Sequence, residues 1–539
     1  LNTSVIRSKE SQQGLFVNPI VLIAIGICIV LGSILWLRLH AFLALTLGAF
    51  VVSALTSEVY LQESMKSKFL GDSTRFSIQK LIVQKATDTK LQGGTFNLRE
   101  VREQSRFEVT QNKEVMESAA QSKAIEFSKN QSIMSRITTA IGETCAKIGL
   151  LIATACVVGR CMLTSGAAER IVRDGLMIVG EKNAPIAFSF STFVLGIPVF
   201  FDSVFLLTIP LAKATWLKHR KNYLLYTLAL ITGGTITHSL VPPTPGPLFV
   251  AKELGVGIGL MIVVGIAVGM CCTLFGLAFA FWVNGRMDIP VRDTPEAIMQ
   301  LQKLSSRSLS DLPPLWLSLL PISLPVVLIS GATIYESNLD PAQSAPSVIA
   351  LLGDTNFALS LAAVIAMVMS HVYTRQGESL ADQIQQAMQE AGVILLVCCG
   401  GGAFGAALYQ TGVGPFIQGL SGSEPLDFAL LPLAFLVTAV IRTAQGSSTV
   451  AMLTAVEIVR SLSPDLEALS YHPVYLAVGI GCGSKLIPWM NDSGFWVICK
   501  MSGLTEKEML KTQSPMVGLM GVVGILVTML AAKLVPLTN

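Results

Sequence analysis

Two carboxylates stand where an apolar chain has no cheap place for them. Asp202 lies at the centre of the apolar stretch 184–212, and Asp492 sits inside the apolar stretch 470–500. A charged side chain at mid-bilayer depth costs on the order of 3 kcal/mol, so each must be paired, protonated or functional. A carboxyl buried in this way can exchange a proton near neutral pH, which makes Asp202 and Asp492 candidates for proton coupling. The competing reading is plainer: either could cap backbone amides at a break in a helix.

Around these acids the sequence supplies hydrogen-bonding groups. Gln445, Gly446, Ser447, Ser448 and Thr449 form a small polar turn, and Ser203 follows Asp202 directly. Helix halves that begin at such turns aim their N-termini at an anion, such as a carboxylate. Thr244, Gly246, Asn491 and Ser493 lie in two other interruptions and are expected to complete the binding cavity. Ser and Thr could instead fill a tight helix contact, and the loop residues could cap backbone alone. Arg160 and Arg442 are possible counter-charges to a bound carboxylate, though each could equally pair with an acid or reach the interface. His238 could relay protons or cap a broken helix, and Lys485 reads as structural.

The elements that must hold these residues are membrane spans. Of 539 residues, 52% are hydrophobic and 14% charged, with a mean hydropathy of +0.61. Soluble domains carry about 25% charged residues, so disorder, a secreted disulfide scaffold and an ordinary cytosolic enzyme are excluded. A net charge of +3 with no basic stripe gives nucleic acid no footing. Apolar stretches run near 16–37, 40–57, 147–165, 184–212, 222–250, 253–283, 313–334, 347–373, 386–411, 425–460, 470–500 and 514–536. The first lacks a cleavage site of small residues and reads as a retained span. Segment 58–133, with 12 basic and 10 acidic residues, reads as a solvated helical excursion.

Four stretches are not simple spans. Segment 184–212 holds Gly196-Ile197-Pro198 and Asp202 between basic flanks, so both of its ends belong on the cytoplasmic side and it reads as a re-entrant hairpin. Segment 425–460, with the 442–449 turn at its centre, reads as a second hairpin. Segments 222–250 and 470–500 read as broken helices, the first because Pro242, Pro243, Pro245 and Pro247 cannot continue a helix. Irregular backbone at membrane depth is tolerated only inside protein or beside a water-filled cavity.

The two halves align at a constant offset of 246 residues: Asp202-Ser203-Val204 falls on Ser448-Thr449-Val450, and Leu240-Val241-Pro242 on Leu486-Ile487-Pro488. Each half counts five crossings, an odd number, which inverts the second against the first. The expectation is an all-α polytopic membrane protein of two inverted repeats, each with a re-entrant hairpin and a broken helix. Its parts are the first two spans (1–57), the insertion 58–133, a first repeat (134–283), a cytoplasmic linker (284–312) and a second repeat (313–539). Such architecture belongs to secondary transporters.

The strings IPVFFDSVFLLTIPL (197–211), THSLVPPTPGPL (237–248), RTAQGSSTVAMLTA (442–455) and NDSGFW (491–496) closely resemble the gluconate permease family of organic-acid:proton symporters. The resemblance covers about 135–539, and segment 58–133 departs from the short loop usual there. It implies a scaffold domain for homodimerisation, a transport domain, and a small hydroxylated monocarboxylate as substrate: gluconate, a keto-sugar acid, glycerate or D-serine.

The expected function is therefore multi-pass, inner-membrane uptake of such an acid by proton symport. The alternatives are sodium coupling with a carboxylate and a transporter-like sensor that uses the 58–133 insertion. No cofactor beyond the coupling ion is expected. The ten cysteines lie in or beside apolar segments without metal-ligand spacing, so no metal site is expected either. Gly419-Leu420-Ser421-Gly422 matches an intramembrane-protease pattern too short to carry weight. No zinc-protease or phosphate-loop motif occurs, so the chain does not read as an enzyme.

Overall fold

In the computed structural model the described residues are 18–91, 113–287, 289, 291–292, 308–337, 339, 346–374, 379–412, 428–462, 466, 469–490 and 492–537, and they contain helices and no strands. Two N-terminal helices, α1 (Pro19–Leu35) and α2 (Ala41–Leu55), precede two long polar ones, α3 (Glu58–Leu91) and α4 (Lys113–Asn130). The latter two pack together through Leu61, Met65 and Ala124, flanked by Phe69 and Phe127. Next come α5 (Ile133–Thr164), α6 (Ala167–Val179), α7 (Ala184–Leu195), α8 (Phe201–His219), α9 (Tyr223–Leu240), α10 (Pro245–Glu253) and α11 (Ile258–Asn284). The remainder comprises α12 (Leu315–Ser337), α13 (Ser347–Gly353), α14 (Thr355–Tyr373), α15 (Leu380–Gln410), α16 (Leu430–Gln445), α17 (Ser448–Leu462), α18 (Pro473–Gly483), α19 (Ser493–Ser502), α20 (Glu506–Lys511) and α21 (Gln513–Leu534).

Seven segments among the described residues are long and apolar enough to cross a membrane, or eight if α2 and the start of α3, bent by 108°, form one span. Apolar side chains such as Leu150, Leu274, Phe275, Val327, Val364, Val368, Leu526 and Leu530 are exposed on their outer faces. A surface of that kind is stable against lipid, not water. The chain is an all-α polytopic membrane protein.

Local sequence sets the breaks. Helix α9 stops at Leu240 because Pro242 and Pro243 follow, and α10 restarts with Pro245 in its first turn, where a missing amide costs nothing. Together they make a 31-residue apolar segment, Tyr223–Glu253, that is almost wholly inside the protein. Helix α16 ends on Gly446 at φ 90°, a left-handed conformation that glycine adopts without strain, and α17 starts two residues later. Between α7 and α8 the chain turns back on itself. Lys218 Nζ, at the end of α8, lies 2.6 Å from Glu181 Oε1, just before α7, so the segment finishes where it began.

The same partnerships occur in each half. Helix α7 packs on α9 as α16 packs on α18; α9 packs on α11 as α18 packs on α21; and α5 lies against α15. The first hairpin's second arm, α8, meets α19, while the second hairpin's second arm, α17, meets α10. Each hairpin tip therefore abuts the broken helix of the opposite half.

Candidate functional site

At one of these two meetings the protein opens a cavity of about 210 Å³, lined by both hairpin tips, the second broken helix, α9 and α21. The first tip contributes Phe200, Phe201 and Asp202; the second contributes Arg442, Ser447, Ser448 and Thr449. Lys485, Pro488 and Asp492 come from the interruption between α18 and α19. Helices α8, α17 and α19 all begin here, so three positive helix ends converge where an anion would sit.

Arg442 organises the wall. Its Nε donates to Ser484 O at 3.1 Å, one terminal nitrogen donates to Gly446 O, and the other meets Asp492 Oδ2 at 2.5 Å. The guanidinium is 4% exposed and the carboxylate 18%. Asp492 also accepts from Gly494 N at 3.0 Å, capping α19. Ser448 Oγ donates to Ser484 O at 3.1 Å, and Ser447 Oγ accepts from Val450 N at 3.3 Å. One cation thus ties the second hairpin tip to the broken helix beside it.

The remaining charges are not spent in this way. Asp202 makes no ion pair among the described residues; a Cβ built on Gly494 would lie 3.1 Å from its Oδ1, so backbone passes close to the carboxylate. Lys485 is 5% exposed and likewise has no acid within ion-pair distance among the described residues. His238 lines the cavity with its Nδ1 buried and without a hydrogen-bond partner among the described residues, its ring T-shaped to that of Phe200.

Several residues expected from sequence to share one site are thus brought together: Asp202, His238, Arg442, Ser447, Ser448, Thr449 and Asp492. Others are placed elsewhere. Thr244 is buried with its hydroxyl donating to Val241 O, and a Cβ on Gly246 would meet Met452 at 3.0 Å, so both belong to the packed meeting of α10 with α17. Ser203, Gln445 and Gly446 flank the tips without lining the cavity, and Arg160 lies on α5 away from it. Asn491 and the side chain of Ser493 fall outside the described residues, as does Gly419-Leu420-Ser421-Gly422. Thr235, Lys485 and Gln513 line the cavity without having been singled out as binding residues. Lys485 was visible as a base in an apolar stretch; Thr235 and Gln513 are neutral polar residues among other Ser and Thr residues and carry no charge to mark them.

Known proteins place the chain in a family. The model of the GntP family permeases matches residues 121–535. A Haemophilus influenzae protein described as an uncharacterized permease is 33% identical over 73% of this chain and 82% of its own length. The low-affinity gluconate transporter of Escherichia coli is 29% identical over 73% of this chain and 87% of its own, and the gluconate permease of Pseudomonas aeruginosa 28% over 74% and 88%. Among solved structures, MtrF of Neisseria gonorrhoeae, from a class of antimetabolite efflux pumps, superposes with a TM-score of 0.53 at 15% identity, covering 74% of this chain and 83% of that one. The YdaH transporter of Alcanivorax borkumensis gives 0.50 at 13% identity, covering 76% and 90%. At such identities the likeness is one of fold. The chain belongs to the GntP family of permeases; it is a membrane transporter, not an enzyme.

Proposed function

We propose that this permease takes up gluconate, or a closely related small hydroxylated monocarboxylate, by proton symport across the inner membrane. The observation that carries the reading is the cavity: a polar chamber holding Asp202, which has no ion partner among the described residues, inside an otherwise apolar helical body. Its volume is below the roughly 300–1,000 Å³ of drug-sized sites and suits a compact polyol acid. Ser447, Ser448, Thr449, Thr235 and Gln513 offer hydroxyl and amide groups to a polyol chain, and Asp202 is the group that carries the proton. The relatives named as gluconate permeases supply the substrate class. The doubled helix partnerships support two inverted repeats, with both hairpins re-entrant and the protein working by alternating access, in a homodimer.

The test is uptake by proteoliposomes. Wild-type protein should accumulate labelled gluconate down an imposed pH gradient and ignore a sodium gradient. Asp202→Asn, a fixed neutral mimic of the protonated acid, should still exchange gluconate across the membrane yet lose pH-driven accumulation. Near-normal accumulation by that variant would remove Asp202 from the coupling, since Asn caps a helix about as well as Asp.

A further inference from the structure

The charges around the cavity can be counted. Arg442 and Asp492 neutralise each other in direct contact. What is left facing the chamber is one base, Lys485 from the α18–α19 interruption, one acid, Asp202 from α8, and the imidazole of His238 from α9. Ser447, Ser448 and Thr449 at the second tip, Ile498 of α19, and Gln513 and Val517 of α21 also line the chamber, and none of them carries charge. With Asp202 ionised and His238 neutral the side-chain charges of the chamber balance, and a monoanion meets only the helix ends. With a proton on Asp202 the chamber holds one uncompensated positive charge.

We propose that Lys485, not either arginine, is the anchor of the substrate carboxylate, and that it links substrate to proton by serving Asp202 and the substrate in turn. The proposal rests on the symport reading above and deepens it. Lys485 is 95% shielded from solvent yet has no acid in contact among the described residues, so its ammonium is held ready for an anion. The base of its side chain packs against α21, where the Cβ of Lys485 lies 3.2 Å from the place a Cβ would take on Gly521. Arg442 cannot take the role without abandoning three acceptors, and Arg160 is not at the chamber. One ammonium and one carboxyl set the ratio at one proton per carboxylate. A dianion would leave a second negative charge unanswered, so the site selects monocarboxylates.

The experiment is equilibrium binding to the purified full-length protein, using labelled gluconate and its uncharged analogue gluconamide, over a pH series. For wild type, gluconate affinity should fall towards about tenfold per pH unit once Asp202 ionises, while gluconamide affinity stays level. Asp202→Asn should bind gluconate tightly with no such slope. Lys485→Met should lose at least about tenfold in gluconate affinity and all preference over gluconamide, and Lys485→Arg should keep the preference. Lys485→Met retaining the wild-type preference would overturn the anchor; a wild-type slope in Asp202→Asn would overturn the link to Asp202, because the slope would then belong to another proton, and this arm holds even if the lysine variants fail to fold. Wild-type protein that binds neither compound would overturn the gluconate reading and the anchor together; gluconate binding with an intact preference in Lys485→Met would overturn the anchor alone.

Discussion

Removing the Arg442 guanidinium should be among the most damaging single changes near the cavity. Arg442→Met keeps the stem and deletes a group that is 4% exposed and holds Ser484 O, Gly446 O and Asp492 at once. Two carbonyls lose donors, and a carboxylate only 18% exposed is left uncompensated. Breaking one side of a buried ion pair costs about 3–5 kcal/mol, and an unmet hydrogen-bonding group about 1–3 kcal/mol, with the contributions overlapping. A loss of about 4 kcal/mol is the expectation. Arg442→Lys should fall between, because an ammonium on a flexible stem cannot meet three acceptors spread around a planar fork. Adding Asp492→Asn to Arg442→Met should recover part of the loss: the orphaned charge disappears, and asparagine can still cap α19. Thermal unfolding in detergent, followed by size exclusion, ranks wild type, the two Arg442 variants, Asp492→Asn alone and the double variant. An Arg442→Met protein as stable as wild type, or a double variant showing strictly additive losses, would refute this account of the wall.

Other expectations come from packing. A Cβ on Gly233 of α9 would lie 2.0 Å from Ser189 O and 2.5 Å from Phe193 N, both backbone atoms of α7, so Gly233→Ala should cost about 3 kcal/mol or block folding in the same unfolding assay. Gly392 of α15 has nothing within 4 Å of a Cβ, and Gly392→Ala should be neutral or gain about 0.5–1 kcal/mol; the reverse order would contradict the helix contacts described. Glu253, at the end of α10, pairs with Lys147 of α5 at 2.8 Å and with Arg460 of α17. Glu253→Gln should destabilise less than Arg442→Met in the same series, because both partner bases are 43% exposed and can return to solvent.

How much of this was legible in the sequence depends on whether a feature is local. The breaks were, because proline, glycine and clustered polar residues interrupt an apolar run for reasons confined to a few neighbours. Both tips of the cavity followed from that. What stayed hidden was tertiary choice. Lys485 and Arg442 read alike as bases in apolar stretches, and what separates them is that three acceptors from distant segments converge on Arg442 alone. Thr244 and Gly246 looked like site residues because their loop resembles its counterpart, whereas the fold sends that loop to the other hairpin tip. Thr235 and Gln513 sit on helices whose apolar pattern they barely disturb. Among the described residues α3 and α4 meet through Leu61, Met65 and Ala124, widely spaced positions in an otherwise polar segment.

The 246-residue offset explains why one meeting is a chamber and the other a joint. At that spacing Arg442 corresponds to Gly196, Ser448 to Asp202, Lys485 to Ser239 and Asp492 to Gly246. A Cβ on Gly196 would already stand 2.4 Å from Thr237 Oγ1 and 2.9 Å from Gly234 O, so no side chain fits where the guanidinium is in the other half. Gly246, likewise, leaves room only for Met452. Small residues on one side let the backbones close, with apolar contact in place of water. On the other side, two bases and one acid, facing Asp202 across the tip, hold the backbones apart and make the gap polar. A pair of similar halves would give two equivalent meetings. Divergence at these four positions leaves one meeting with a charged, polar lining and the other closely packed.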